Sequence, residues 1–353
     1  MIDIVIPPQY DAIDGVRPPC ETAKLFGHDL IVGFFDRCLK DQKMHHALLF
    51  QGAKGIGKAT LAFQLAWNIL SRTKKGFETP DFSSSLWRQL MQESHPSFLH
   101  LTRQRDSVTS SFRSVIRVDE IRQVSKMLAQ TSADGGWRVV IIDSADDMNR
   151  NAANALLKTL EEPPPRVVLM LISHLPGCLL PTIRSRCLPI NFQPLDEKAL
   201  ADALTHCLIS MPFDIQAAQS KKILTRAEGS VRNAALLATY GGIEISDAIS
   251  DLLSGETLDY TKLNQLANAL SLKEAVIQFQ QFCREVLAIV ADCARNSSFN
   301  NKRRRADEWA YLWFKIEGEI ADVEAYNLDK KMFINILVER LFYNFKKLTS
   351  KGQ

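Results

Sequence analysis

Three short stretches carry residue types suited to handling phosphate. Gly52-Ala53-Lys54-Gly55-Ile56-Gly57-Lys58-Ala59-Thr60 has the spacing G-x-x-x-x-G-K. In such a loop the glycines let backbone N–H groups close around phosphate oxygens, and the final lysine reaches the β and γ phosphates. Arg138-Val139-Val140-Ile141-Ile142-Asp143 is a β-branched apolar run ending on an acid. A carboxylate at such a strand end is suited to holding a divalent cation beside bound phosphate. Thr182-Ile183-Arg184-Ser185-Arg186-Cys187 sets two arginines beside a small hydroxyl.

The first pattern is weak by itself and works only between a strand and a helix. Ala47-Leu48-Leu49-Phe50-Gln51 supplies the strand, and Leu61, Leu65 and Ile69 mark one side of the following helix. The run 138–143 reads as a buried parallel strand, and ligands of open α/β sheets sit at the carboxyl ends of such strands. After a polar turn, Ala152, Ala155, Leu156, Thr159 and Leu160 keep helical spacing until Pro163, Pro164 and Pro165 forbid continuation. Val167–Ile172 is another central strand. Upstream, Ile31, Phe34 and Phe35 share a helical face, as do Ile121, Val124, Met127 and Leu128 after Val118. Gly135-Gly136 turns the chain into the strand at Arg138. Residues 71–117 carry the least pattern and read as an insertion or surface excursion.

Taken in order, strand, acid, helix, strand and arginine loop resemble the AAA+ clamp-loader ATPases. Asn154-Ala-Leu-Leu-Lys-Thr-Leu-Glu-Glu-Pro163 and Ser185-Arg186-Cys187 are the segments specific to that family, and the likeness covers nearly the whole chain. It implies an α/β P-loop AAA+ domain with a parallel sheet between helices and an N-terminal arm (1–193). A small helical lid (194–242) and an all-α collar domain for oligomerisation (243–353) follow. After Pro194 the strands give way to helical patterns at 196–209, 215–227 and 231–239. Gly241-Gly242 reads as a hinge, and amphipathic helices follow, including 272–294 and 329–348.

The resemblance implies ATP or ADP held by Gly52, Lys54, Gly55, Gly57, Lys58, Ala59, Thr60 and Asp143, with Mg²⁺ if nucleotide binds. Two positions depart from an active member. The residue after the P-loop lysine normally gives a hydroxyl to Mg²⁺, and here it is Ala59; Thr60 lies about 100° further round the helix. The strand-end Asp is normally followed by a Glu that polarises the attacking water, and here Ser144 stands there. General-base help worth roughly 10²–10⁴ in rate is then missing. Asp146 and Asp147 read as a solvated turn capping the next helix rather than as its replacement.

Arg186 points the other way. In clamp loaders the arginine of the Ser-Arg-Cys triplet crosses a subunit boundary to the neighbour's γ-phosphate, so it is expected to act in trans; the bland reading is an arginine paired with a local carboxylate. Arg184 reads as structural. Ser173 matches the polar sensor of the γ-phosphate or is an ordinary strand-end serine, and Arg232 matches the lid arginine or is a helix-start surface residue. Glu161 and Glu162 sit at a helix C-terminus, where the dipole disfavours anions by roughly 0.3–1 kcal/mol each, which suggests contact with a neighbouring subunit. Lys302-Arg303-Arg304-Arg305 reads as a solvated loop, with DNA phosphate the alternative.

The 353 residues, 46% hydrophobic and 24% charged, are those of a globular chain of two or three domains, and the net charge of +3 neither requires nor excludes nucleic acid. Cys20, Cys38, Cys178, Cys187, Cys207, Cys283 and Cys293 form no C-x-x-C pair and read as reduced thiols. No secretory signal pattern or membrane span of ~20 apolar residues is present, so a cytoplasmic location is expected. Clamp-loader relatives often carry a four-cysteine zinc module after the P-loop helix. This stretch has no cysteine, and His95 and His100 alone cannot complete a tetrahedral site, so no zinc is expected.

The expected function is a largely non-hydrolysing member of a clamp-loader ring. The resemblance implies gamma/tau and delta subunits as partners and, indirectly, the beta sliding clamp and primer-template DNA. The alternatives are an active gamma/tau-type ATPase and a stand-alone P-loop enzyme such as a kinase.

Overall fold

The computed structural model describes residues 6–22, 24–71, 75–106, 111–129, 135–209, 218–299 and 303–350. The chain divides into two compact units, residues 1–235 and 236–353.

In the first unit an arm with a 3₁₀ turn at Pro19–Glu21 leads into helix α1 (Asp29–Lys40). Strand β1 (Ala47–Gln51) and helix α2 (Lys58–Leu70) flank the glycine loop as the motif requires. Helix α3 (Ser85–Met91), strand β2 (Phe98–Leu101) and helix α4 (Val118–Ala129) follow. Strand β3 (Arg138–Asp143), helix α5 (Arg150–Glu161) and strand β4 (Val167–Ser173) stand where apolar periodicity places them. A short helix α6 (Pro181–Arg184) and strand β5 (Leu188–Asn191) complete the sheet. Helices α7 (Glu197–Cys207), α8 (Ala218–Arg226) and α9 (Val231–Thr239) come next, and the division between units falls inside α9. Residues 215–217, expected in the second of these helices, lie outside the described residues.

The strands are all parallel, in the order β2-β3-β4-β1-β5. Period-two alternation divides their side chains between two apolar layers. Leu48, Phe50, Val139, Ile141, Val168 and Met170 face α1, α2 and α3 through Phe35, Leu61, Leu65 and Trp87. Ala47, Leu49, Val140, Ile142, Leu169 and Leu171 face α4 and α5 through Ile121, Val124, Leu156 and Leu160. Burial on both faces explains why these strands are nearly continuous apolar runs. In register, Gln51 pairs with Ser173 and Asp143 with Ile172. The ends of β1, β4 and β3 therefore share one edge of the sheet, and the loop after Gln51 opens there.

Residues 71–117 are not the surface excursion their weak pattern suggests. They contain α3, capped by the Ser84 hydroxyl accepting from the Trp87 amide at 3.2 Å, and the edge strand β2. Val16 forms an antiparallel bridge with Leu208, so the arm is seated against the end of α7.

In the second unit, helices α10 (Gly242–Ser254), α11 (Tyr260–Leu270), α12 (Val276–Phe299), α13 (Arg303–Tyr326) and α14 (Lys330–Ser350) enclose one core. Phe279, Phe282, Val286 and Val290 of α12, Trp309, Leu312 and Ile316 of α13, and Ile334, Leu337, Val338 and Leu341 of α14 fill it at three- and four-residue spacing. Arg303–Arg305 begin α13 rather than lying in a loop, and Lys302 is outside the described residues. No helix among the described residues is long and apolar enough to cross a membrane.

Candidate phosphate-binding site

β1 delivers the chain into the loop at Gly52, and α2 starts at Lys58, so the loop amides gather at the helix N-terminus, where its dipole favours an anion. Gly55 has φ +78°, and a Cβ there would lie 2.3 Å from Arg232 Cβ and 2.7 Å from Ser230 Oγ. At Gly52 a Cβ would lie 2.6 Å from the Phe192 carbonyl oxygen. Only glycine fits either place, which lets the loop pack closely against the start of α9 and the end of β5.

The loop is tied down on two sides. The Ser230 hydroxyl donates to the Lys54 carbonyl at 2.7 Å, and the Val231 amide donates to the Gly55 carbonyl at 2.9 Å. Opposite, His28 Nε2 lies 2.7 Å from the Ile56 carbonyl oxygen, with its ring edge-on to Phe192. Burial holds the His28 pKa low despite that bond, so the neutral ring donates.

Lys58 Nζ donates to the Gly52 carbonyl at 2.6 Å and to that of Ala53. Burial pushes its pKa down to about 8, helped by Lys54 and opposed by Asp143 and Asp146. Burial and Asp11 push the Asp143 carboxyl up to about 6 against His100, Lys54 and Lys58. Ala59 offers the site no oxygen, and Thr60 and Ser144 are buried. The donor set thus suits nucleotide phosphates well and Mg²⁺ on one side only, through Asp143.

The two acids after Ser144 do not cap α5; Asn149 Oδ1 does, accepting from the Ala152 amide at 2.9 Å. Asp146 accepts the Ser173 hydroxyl at 2.7 Å and the amides of His174 and Leu175. Asp147 pairs with Arg103. Both carboxylates are engaged in holding strand ends rather than turned toward a water. His174 lines the cavity next to this contact, and burial with the nearby Lys58 and Lys54 keeps its ring neutral by pushing its pKa down to about 3.

A cavity of about 320 Å³ opens between the glycine loop, the arm and the start of α9. Lys58, Thr60, Asp143 and Arg232 border it, and Pro7, Ile13 and Val16 of the arm give it an apolar wall. Of the residues expected from the sequence, Lys54, Gly55, Gly57, Lys58, Ala59, Thr60, Asp143 and Arg232 line this cavity; Gly52 lies just behind it, its carbonyl accepting from Lys58, and Ser173 is fully buried against Asp146 rather than turned toward it. Asp11, which no sequence motif marks, also lines the cavity, and Tyr10 and Arg103 pack behind it. Lys54 Nζ and Arg103 lie 5.0 and 4.6 Å from the Tyr10 ring centre. No local pattern marks these contacts, which join residues about 40 to 220 positions apart.

Arg186 lies apart from the cavity, just after α6. Its guanidinium pairs with Glu161 at 2.7 Å and donates to the Thr182 carbonyl at 2.9 Å. The Arg186 side chain is 35% exposed and that of Glu161 49% exposed, so the local-carboxylate pairing exists as an open surface contact. Cys187 is buried and Arg184 exposed.

Residues 27–196 match the family described as DNA polymerase III, delta subunit. The chain is 40% identical to the DNA polymerase III subunit delta' of Pseudomonas aeruginosa over 142 residues, 40% of this chain and 41% of that protein. It is 36% identical to subunit delta' of Bacillus subtilis over 166 residues, 47% of each chain. With the DNA polymerase III subunit tau of Escherichia coli it shares 29% identity over 306 residues, 85% of this chain and 43% of that protein. The chain therefore spans less than half the length of these relatives.

Proposed function

Because the chain belongs to the clamp-loader subunits of DNA polymerase III, we propose that it serves as a delta-prime type of ring member. In this reading it turns over little or no ATP itself and presents Arg186 to the ATP of a neighbouring gamma/tau subunit. With delta it helps place the beta sliding clamp on primed DNA in the cytoplasm. Residues 194–242 act as the lid, and residues 243–353 as the collar that joins the ring.

The observation that carries this reading is an asymmetry. Ala59 and Ser144 remove the metal hydroxyl and the general base from the chain's own cradle, while Arg186 stands on the surface in an exchangeable pair with Glu161. Exposed pairs of that kind contribute about 0.2–1 kcal/mol, whereas an arginine supplied to a phosphoryl-transfer site is worth about 10³–10⁵ in rate. Trading Glu161 for a neighbour's phosphate therefore costs little. Mg²⁺, when it accompanies nucleotide, neutralises phosphate charge; Asp143 is the residue here that would hold it.

The test mixes the purified chain with gamma/tau and delta subunits and follows ATP turnover on primed DNA. The chain alone should show negligible turnover, and Arg186→Ala should lower turnover of the mixture at least tenfold without preventing assembly. Unchanged turnover with Arg186→Ala would overturn the reading. An active gamma/tau-type motor is the second reading, favoured by the complete glycine cradle and by the alignment to tau across 85% of this chain. It requires brisk turnover by the chain alone, abolished by Lys58→Ala.

A further inference from the structure

Lys54 and Arg232 come from different elements, the glycine loop and the start of α9, yet both side chains meet on one carboxylate. Lys54 Nζ is 3.1 Å from Asp11 Oδ2, and Arg232 reaches the same oxygen at 3.5 Å while also donating to the Asp11 carbonyl. The arm carrying Asp11 is fastened on both sides of it. Tyr10 lies against Lys54 and Arg103. Further along, the Arg17 amide donates to the Cys207 carbonyl, and the Ile209 amide donates to the Gly15 carbonyl, each at 2.8 Å. Burial alone would raise the Asp11 pKa, but Lys54 and Arg232 outweigh it and hold the carboxyl below its ordinary range, so it is a charged ligand of this pair. Asp11, Lys54 and Arg232 border the same cavity as Lys58 and Asp143.

We propose that Asp11 is an internal competitor for nucleotide phosphate: its carboxylate occupies the Lys54–Arg232 pair, and a nucleoside triphosphate gains those cations by displacing it. The inference rests on the reading that the cradle takes nucleotide. A triphosphate brings several negative charges to a site that also offers Lys58 and the loop amides, whereas Asp11 brings one charge on a tethered arm. Displacement removes an ionic contact between the arm and Arg232, so nucleotide loosens the seating of the arm against the end of α7. Asp11 thereby sets the threshold at which the cradle fills.

The probes are ATP and inorganic tripolyphosphate, titrated calorimetrically into the full chain at fixed ionic strength. Asp11→Asn and Asp11→Ala should each tighten both ligands by about five- to tenfold, the range expected from releasing two partly exposed ion pairs. In an Arg232→Ala background the gain should shrink to about two- to threefold, because the nearer Lys54 pair remains while the Arg232 pair is gone. A full-sized gain in that background would mean that Asp11 acts only as general negative charge beside Asp143, and the assignment would fail.

Should Lys58→Ala abolish ATP binding while Asp11→Asn leaves it unchanged, the cradle stands and the competitor falls. If no variant and not the unaltered chain binds either probe, the nucleotide reading falls and takes the competitor with it. Hydrogen exchange of the Arg17 and Ile209 amides supplies a measurement without substitution. Saturating ATP should speed their exchange, and unchanged or slower exchange with ATP bound counts against displacement.

Discussion

Asp143 occupies a place that opposes its own charge. Burial first, and Asp11 second, raise its pKa from the ordinary 3.8 to about 6. The folded chain then holds a proton there more tightly than the unfolded chain does. Stability from this group therefore falls as pH rises from about 4 to 6 and is level above that, the opposite of a salt-bridged carboxylate. Asp143→Asn should raise unfolding free energy at pH 7 by about 1–3 kcal/mol and change it little at pH 4. Urea unfolding at the two pH values is the check, and an equal effect at both would show that the charge is already compensated. Lys58 gives a second titration. With its pKa near 8, the ammonium needed for phosphate is lost as pH rises, so ATP affinity should be level up to about pH 7.5 and then weaken toward a tenfold loss per pH unit. A flat affinity profile from pH 7 to 9.5 would contradict that desolvation. Lys58 and Asp143 were legible in the sequence because each sits in a contiguous motif whose neighbours force strand or helix. Asp11 and Arg103 were not, because what makes them matter is a partner far along the chain.

At the scale of elements, legibility follows burial and length. β1, β3 and β4 have both faces covered, so their sequences are long apolar runs with nothing to confuse them. β2 and β5 are edge strands of four residues, one interrupted by His100 and the other by Pro189, and neither leaves a readable period. The His100 ring is accommodated because its Nδ1 lies 2.7 Å from Glu93 Oε1. The turn after β3 departs from its sequence pattern for a different reason. Asp146 and Asp147 stand near the start of α5 and resemble caps, but Asn149 occupies the capping position and the acids reach back to other strands. Two substitutions separate these roles. Asn149→Ala should cost about 1 kcal/mol as a lost cap. Asp146→Ala should cost more, about 2 kcal/mol, since it leaves the Ser173 hydroxyl and the His174 and Leu175 amides without their acceptor. Chemical denaturation ranks them, and the reverse order would restore the acids as caps.

At the scale of the whole molecule, the two units have separate apolar cores: the sheet with its two helical layers, and the five helices around Phe282, Val286 and Leu337. The composition allowed two or three domains, but a boundary inside α9 has no sequence mark, because a helix continues through it without change of period. Separate cores give each unit its own cooperative melting, so scanning calorimetry of the full chain should resolve two transitions. The cradle lies wholly in the first unit, and ligand binding stabilises what it binds by mass action. ATP at about 100 times its dissociation constant should add about 2.7 kcal/mol to that unit's transition and leave the other in place. Leu337→Ala, which empties part of the helical core, should do the converse, lowering the other transition by about 2–5 kcal/mol. One transition that ATP and Leu337→Ala both move would mean that the cores unfold together. The helical unit could not then be treated as a fold of its own, and the assembly proposed for it would have to be weighed against the stability of the phosphate cradle.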